Sequence, residues 1–315
     1  METFDIQVAN PRGFCAGVDR AIEIVERALS RFGAPVYVHH EIVHNAHVVS
    51  DLRSKGAIFV DSPEQAPEGS ILIFSAHGVS QAVQIKANQR LQQVFDATCP
   101  LVTKVHIEVQ KMHQEGYQII MIGHAGHPEV EGTMGQISEG ITLIETVADV
   151  AKLPFLPDTK LAYVSQTTLS VDDTQAIVDA LTQRYPHLKA PKVADICYAT
   201  QNRQDAIKML AKTTDLILVI GSPNSSNSNR LREVAEKLGV EAYLVENAGS
   251  VRDEWLVGKH TVGVSAGASA PDQLVQELLQ LLKQKGAVSV RVLDGVVENI
   301  RFPLPKGLKE DVKKT

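Results

Sequence analysis

Three cysteines, Cys15, Cys99 and Cys197, each close a strand-like run and open a helical one, and this recurrence constrains the fold more than any other feature. The runs are FDIQVANPRGFC, QQVFDATC and PKVADIC, and the helical patterns after them are AGVDRAIEIVERALSRFG, PLVTKVHIEVQKMHQEG and YATQNRQDAIKMLAKT. Each helix leads to a short β-rich run (PVYVHH, YQIIMIG, DLILVIG) and then to a polar loop (EIVHNAH, HAGHPEVEGT, SPNSSNSN). A further helix and two strands complete the unit. The second strand ends in small hydroxylic residues, in ILIFSAHGVS, LAYVSQTTLS and HTVGVSAGAS. The landmarks keep register: Cys15 to His44 is 29 residues, Cys99 to His127 is 28, and Cys197 to Ser225 is 28.

Strands alternating with helices build parallel βαβ units. Runs such as IIMIG and LILVIG suit parallel strands buried on both faces. The expected fold class is therefore α/β, with three pseudo-repeated α/β units and small, mostly parallel sheets. Unit one covers 1–98 with Cys15, unit two 99–195 with Cys99, and unit three 196–286 with Cys197. The segment 287–315 has no helical pattern and is expected to pack back on the other units. SVDD, Ser170 to Asp173, and SAPD, Ser269 to Asp272, read as helix starts; the latter places a proline in the first turn.

The 315 residues carry a net charge of −6, with no basic field for nucleic acid or an anionic membrane. No apolar run approaches the ~20 residues of a membrane-spanning helix, and no secretory signal is visible. Three cysteines, odd and sparse, argue against a disulfide framework and for a reducing, cytoplasmic compartment.

In open parallel sheets, ligand groups gather at the carboxyl ends of the strands. If the units pack about a pseudo-threefold axis, the cysteines converge. The loops with His44, His77, His127, Thr167, Thr168, Ser225, Ser226, Asn227 and Ser269 then line one cavity. A free cysteine is most often a buried small hydrophobe. Three at equivalent places also suit iron–sulfur chemistry, with one iron left open as a Lewis acid. SPNSSNSN is a solvated turn with a helix cap or, read functionally, a lysine-free anion site. His44 and His77 follow corresponding strand ends, where a histidine serves structure or ligand equally. The loop GHAGHPEVEGT, with His124, His127, Glu129 and Glu131, is open to reading as metal cage, proton relay, anion site or turn.

Taken together, NPRGFCAGVDRAI, SAHGVS, FDATCPLVTKVH, GHAGHPEVEGT, SQTTLS, DICYATQNRQ, NSSNSNRL and SAGASAPD resemble the 4-hydroxy-3-methylbut-2-enyl diphosphate reductase family, over about residues 6 to 305. The resemblance implies three α/β units around a central [4Fe–4S] cluster held by Cys15, Cys99 and Cys197. It implies that His44, His77, His127, Thr167, Ser225, Ser226, Asn227 and Ser269 contact an allylic diphosphate substrate. Glu129 becomes the essential acid, relaying protons through Thr167, while His124 and Glu131 fall to supporting status. The implied reaction removes a hydroxyl as water with two electrons and two protons, giving isopentenyl or dimethylallyl diphosphate. No dinucleotide or flavin motif is visible, so the electrons must come from outside, and the resemblance implies a ferredoxin or flavodoxin as the donor. Pro223, just before NSSN, is a local departure that stiffens its loop.

Two other readings compete. An aconitase-like hydro-lyase would want arginine clamps for a carboxylate substrate. An iron- or redox-sensing binding module would not need so many polar groups in all three units. Glu129 also carries a conflict: a helix start lowers its pKa, whereas a proton donor wants it raised. Desolvation and the diphosphate charge are expected to win once substrate is bound.

Overall fold

The computed structural model describes residues 3–309. The chain runs through β1 (Phe4–Val8), α1 (Ala16–Phe32), β2 (Val36–His39), α2 (Ala46–Ser54), β3 (Ala57–Val60), β4 (Ile71–Phe74), α3 (Gln81–Arg90) and β5 (Gln93–Asp96). It continues through α4 (Pro100–Gln114), β6 (Gln118–Ile122), α5 (Pro128–Met134), β7 (Ile141–Ile144), α6 (Val147–Val150), β8 (Leu161–Ser165) and α7 (Val171–Arg184). The last part holds α8 (Tyr198–Leu210), β9 (Leu216–Ile220), α9 (Ser226–Lys237), β10 (Glu241–Val245), β11 (Thr261–Ala266), α10 (Asp272–Gln284) and β12 (Ala287–Val292).

These strands form three separate sheets, ordered β3-β2-β4-β5, β7-β6-β8 and β10-β9-β11-β1-β12. Every strand pair in them is parallel. The α/β class with three small parallel sheets is as expected. All five residues of β9 are buried, so both of its faces are covered. On α1, Val18, Ala21, Ile24, Val25 and Ala28 form one buried stripe at helical spacing, packed in a core with Val36, Val38 and Ile73. Truncating Ile24 to alanine there costs about 2–5 kcal/mol.

Four details depart from the repeat as read. The N-terminal strand β1, counted in the first unit, pairs with β11 and so adds to the third unit's sheet. The C-terminal segment contributes a strand, β12, which pairs with β1. PKVADIC is not a strand: Pro191 has no N–H to give a ladder, and Asp195 is fixed by its side chain, which accepts the Ser165 N–H at 2.9 Å. SAPD does not cap its helix through Ser269. The N-cap is Pro271, and the Ser269 hydroxyl instead donates to the His44 carbonyl at 2.9 Å. SVDD behaves as expected, with Ser170 accepting the Asp173 N–H at 3.1 Å.

Past β12 the chain packs back as an irregular strap. Its Leu308 is buried in the first unit's core. Gly295 lies so close to the Asn10 carbonyl that a Cβ there would stand 1.8 Å from the oxygen, so only glycine fits. Among the described residues, no helix is long and apolar enough to cross a membrane.

Candidate active site

One cavity of about 100 Å³ sits where the carboxyl ends of the three sheets meet. Its lining includes Cys15, Cys99 and Cys197, together with His44, His77, His127, Glu129, Thr167, Thr168, Ser225, Ser226, Asn227 and Ser269. Every residue singled out from the repeat or the resemblance as ligand, donor or acid therefore reaches the same space. His124 and Glu131 do not line it. The His124 Nδ1 lies 3.2 Å from a Glu145 carboxylate oxygen, and Glu131 is exposed.

The floor is built from helix starts. Cys15, Cys99 and Cys197 are the N-cap residues of α1, α4 and α8. Close approach between the first two depends on Gly17: a Cβ there would lie 2.7 Å from Cys99 Sγ and 3.8 Å from Cys15 Sγ. Burial pushes the Cys99 thiol up to about 12 and the Cys197 thiol up to about 11, and it raises Cys15. Cys15 adds to the shift of both others through its own charge, so the thiols stand within electrostatic reach of one another. Thr200 reaches toward Cys197, its Oγ1 lying 3.2 Å from Sγ. Among the described residues, no three His, Cys, Asp or Glu side chains are grouped to grip a single metal ion.

The wall on one side is a histidine cluster. The His44 and His77 rings stack with centroids 4.1 Å apart, and His127 stands edge-on at 5.3 Å and 5.8 Å from them. Each ring is held by a neighbour. Glu41 Oε2 lies 3.2 Å from His44 Nδ1, and Ser75 Oγ lies 3.3 Å from His77 Nδ1. His127 caps α5, its Nδ1 accepting the Glu129 N–H at 3.1 Å. The buried His44 Nε2 has no hydrogen-bond partner among the described residues. Burial holds His77 well below the ordinary histidine range and His127 at about 3, each reinforced by the neighbouring rings.

The opposite wall is the Ser/Asn loop at the start of α9. Ser225 is its N-cap, accepting the Ser228 N–H at 3.3 Å. Asn227 Oδ1 accepts the Ala268 N–H at 2.8 Å, which ties this loop to the one bearing Ser269. The Ser226 hydroxyl accepts from Thr168 Oγ1 at 3.0 Å. Among the described residues, no lysine or arginine lines the cavity. The positive ends of five helices do, since Cys15, Cys99, His127, Cys197 and Ser225 are all N-caps on its wall. Helix starts offer N–H groups and a positive dipole end to an anion without a cationic side chain.

Among the described residues, Glu129 is the single acid of this lining. It is buried, and its Oε1 accepts the Thr167 N–H at 2.6 Å while its Oε2 accepts the Thr167 hydroxyl at 3.0 Å. Burial pushes its pKa up to about 7 against the lowering effect of both Thr167 bonds, with a further push from buried Asp195. Desolvation therefore outweighs the helix start even before an anion arrives. A carboxyl poised near neutrality can hold a proton and release it.

Several site-shaping residues escaped the reading of the sequence. Buried Gln166 accepts the His124 N–H at 3.1 Å and donates to Thr168 Oγ1 at 2.9 Å and Ser226 Oγ at 3.4 Å, joining the second unit to the third. The only local signal for it is its place in SQTTLS, between the hydroxylic residues of a strand end. Asp195, pushed up to about 6 by burial, had no periodic signal at all. The two arginines nearest the polar loops, Arg12 before Cys15 and Arg230 after the Ser/Asn run, bond elsewhere: Arg12 to the Ala9 carbonyl and Asp272, Arg230 to Glu233.

The LytB protein family model matches residues 6–283. A 4-hydroxy-3-methylbut-2-enyl diphosphate reductase of Ralstonia nicotianae is 64% identical over 305 residues, covering 97% of this chain and 94% of its own. That of an Azoarcus species is 63% identical over 310 residues, covering 98% and 99%. Among solved structures, the reductase of Plasmodium falciparum superposes with a TM-score of 0.94 at 40% identity, over 98% of this chain and 97% of its own. A second, described as the terminal enzyme of the non-mevalonate pathway, gives 0.63 at 32% identity, over 90% and 100%.

Proposed function

The chain belongs to the LytB protein family, and from that membership we infer that it reductively dehydroxylates (E)-4-hydroxy-3-methylbut-2-enyl diphosphate to isopentenyl and dimethylallyl diphosphate. The chain is an enzyme, an oxidoreductase of isoprenoid biosynthesis. The observation that carries this reading is the joint lining of one cavity by three thiols, a lysine-free set of anion donors and a buried acid.

Three half-buried thiols facing one space fit an iron–sulfur cluster better than a single metal ion. A [4Fe–4S] cluster takes one thiolate per iron, so its ligands need not share an ion. Cys15, Cys99 and Cys197 would hold it, leaving one iron without a protein thiolate. When bound, such a cluster supplies electrons and an open Lewis-acid position for the reacting carbon–oxygen bond.

The residues of the chain do the remainder. His44, His77, His127, Ser225, Ser226, Asn227 and Ser269 hold the diphosphate. Glu41 holds the His44 ring at Nδ1, and the diphosphate would supply the partner that the buried Nε2 lacks among the described residues. Glu129 supplies protons. In its acid form the 3.0 Å contact with Thr167 reverses: the carboxyl donates to Oγ1, and the threonine hydroxyl turns toward the cavity. Thr167 is thus the relay, and the paired Thr167 N–H keeps the carboxyl aimed while its proton moves.

The electron donor is a small external carrier of the ferredoxin or flavodoxin type. The hydro-lyase alternative loses ground because neither Arg12 nor Arg230 lines the cavity. Anaerobically reconstituted protein should consume the allylic diphosphate with reduced methyl viologen as donor and release both isomeric products. Protein loaded with iron and sulfide that leaves the substrate untouched would overturn the assignment.

A further inference from the structure

The three sheets are separate, so strand pairing cannot set how the three cysteine loops stand relative to one another. Side chains do this, and they do it in a repeating way. In α1, five residues after Cys15, Arg20 donates to the carbonyls of Asp96 at 3.2 Å and Thr98 at 3.1 Å, just before Cys99. In α4, five residues after Cys99, Lys104 donates to the carbonyls of Val193 at 2.6 Å and Ala194 at 3.2 Å, and to Asp195 Oδ1 at 3.1 Å, just before Cys197. In α8, six residues after Cys197, Arg203 donates to the carbonyls of Gly13 at 2.7 Å and Phe14 at 3.1 Å, just before Cys15. Each cation reaches from the helix behind one cysteine to the loop in front of the next, and the third contact returns to the first unit.

Two members of this circuit also fasten the C-terminal strap. Arg20 Nε donates to the Pro303 carbonyl at 2.8 Å. Arg203, which is only 1% exposed, pairs with Glu298 at 3.1 Å. The residue types suit the task. An arginine fork spans two carbonyls of one loop at once, and buried Arg203 spends its donors on carbonyls and a carboxylate, with the Ala199 carbonyl completing the set. The loop carbonyls need such donors, because these segments lie outside the sheet ladders.

We propose that Arg20, Lys104 and Arg203 form a closed ring of positioning residues that fixes the three cysteine loops on one another and so governs how firmly the chain holds its iron–sulfur group. This rests on the reading that the three thiols ligate such a group. Because the ring is closed, removing any one member loosens all three loops, whichever cysteine it borders. Its three positive charges also lie behind thiolates that become anionic on ligation, and they favour the added electron.

The test uses the full chain, reconstituted anaerobically, with Arg20→Met, Lys104→Met, Arg203→Met and Arg203→Lys. The readouts are iron and sulfide per chain, the rate of iron loss to a chelator, and the midpoint potential. Each methionine variant should lose iron about 10- to 100-fold faster than wild type, the range typical of partners that orient metal ligands, and its potential should move to more negative values. Arg203→Lys should keep the potential yet lose iron faster, because charge survives while the fork does not. Lys237→Met, which breaks the 2.5 Å pair joining α9 to Asp173 of α7, also severs a link between units and should change none of the three readouts. If Arg203→Met does not fold, the part-exposed Arg20 and Lys104 variants decide. Variants that keep iron and potential at wild-type values while only their thermal midpoints fall would overturn the ring. Wild-type protein that retains no iron and sulfide would remove the underlying ligand reading as well.

Discussion

The floor and the walls of the cavity are built from the same three units, yet only the floor is symmetric. On the floor each unit gives one cysteine, at one helix N-cap, backed by one cation from its neighbour. On the walls the equivalent loops have diverged. The first unit gives His44 and His77, the second gives His127, Glu129 and Thr167, and the third gives Ser225, Ser226, Asn227 and Ser269. A compact cluster presents equivalent corners, so repeated ligands serve it. A substrate with a diphosphate at one end and a hydroxyl at the other has no such symmetry, and each unit must meet a different part of it.

The sharpest way to break this comparison is to damage the floor. Cys99→Ser should abolish turnover and reduce iron retention, while the Ser/Asn wall keeps its fold; iron analysis and far-ultraviolet circular dichroism check both. Next comes the acid. Glu129→Gln should lower kcat about 10²- to 10⁴-fold, the contribution typical of a general acid, with iron content unchanged. Near wild-type turnover would separate Glu129 from the chemistry.

A wall residue that only binds should behave differently. Ser226→Ala should raise KM about 10- to 100-fold with kcat nearly intact, since a hydrogen bond to a charged group contributes about 1.5–3 kcal/mol to ground and transition state alike. Steady-state kinetics across substrate concentration would show which parameter moves.

The smallest effect is on stability and runs through the same acid. The folded pKa of Glu129, about 7, lies above its ordinary 4.5, so between those values the folded state keeps a proton that the unfolded state has released. Stability therefore falls as pH rises from about 4.5 to 7 and stays lowered above. At pH 8, Glu129→Gln should be more stable than wild type by up to about 3 kcal/mol, and this gain should vanish below pH 4.5. Denaturant unfolding of the metal-free protein at both pH values gives the comparison, and a gain that grows toward acid pH would reverse the assigned sign.

The contrast between floor and walls also explains what was legible in the sequence. Strand-to-cysteine-to-helix units could be read because periodicity and N-cap position are local. The convergence of His44, His127 and Ser225 followed from their nearly equal spacing after each cysteine. What could not be read depends on long-range closure. Nothing local to FDIQV says that it will pair with a strand beginning at Thr261, or that AVSVRV will add beyond it. Ser269 looked like a cap because its spacing to Asp272 was right, but the hydroxyl found the His44 carbonyl across the unit boundary. Arg20, Lys104 and Arg203 sit at nearly constant distance from their cysteines, yet their meaning exists only once the circuit closes. Glu129 stood out as a candidate acid only through the family resemblance, and the burial that sets its proton affinity was not legible.

Mössbauer spectroscopy of protein reconstituted with ⁵⁷Fe tests the central claim most directly. Three repeated thiols on a symmetric floor, facing asymmetric walls, predict four irons of which three are alike and one is distinct. Adding the allylic diphosphate should move the signal of the distinct iron and leave the other three in place. Four equivalent irons that ignore the diphosphate would contradict the account.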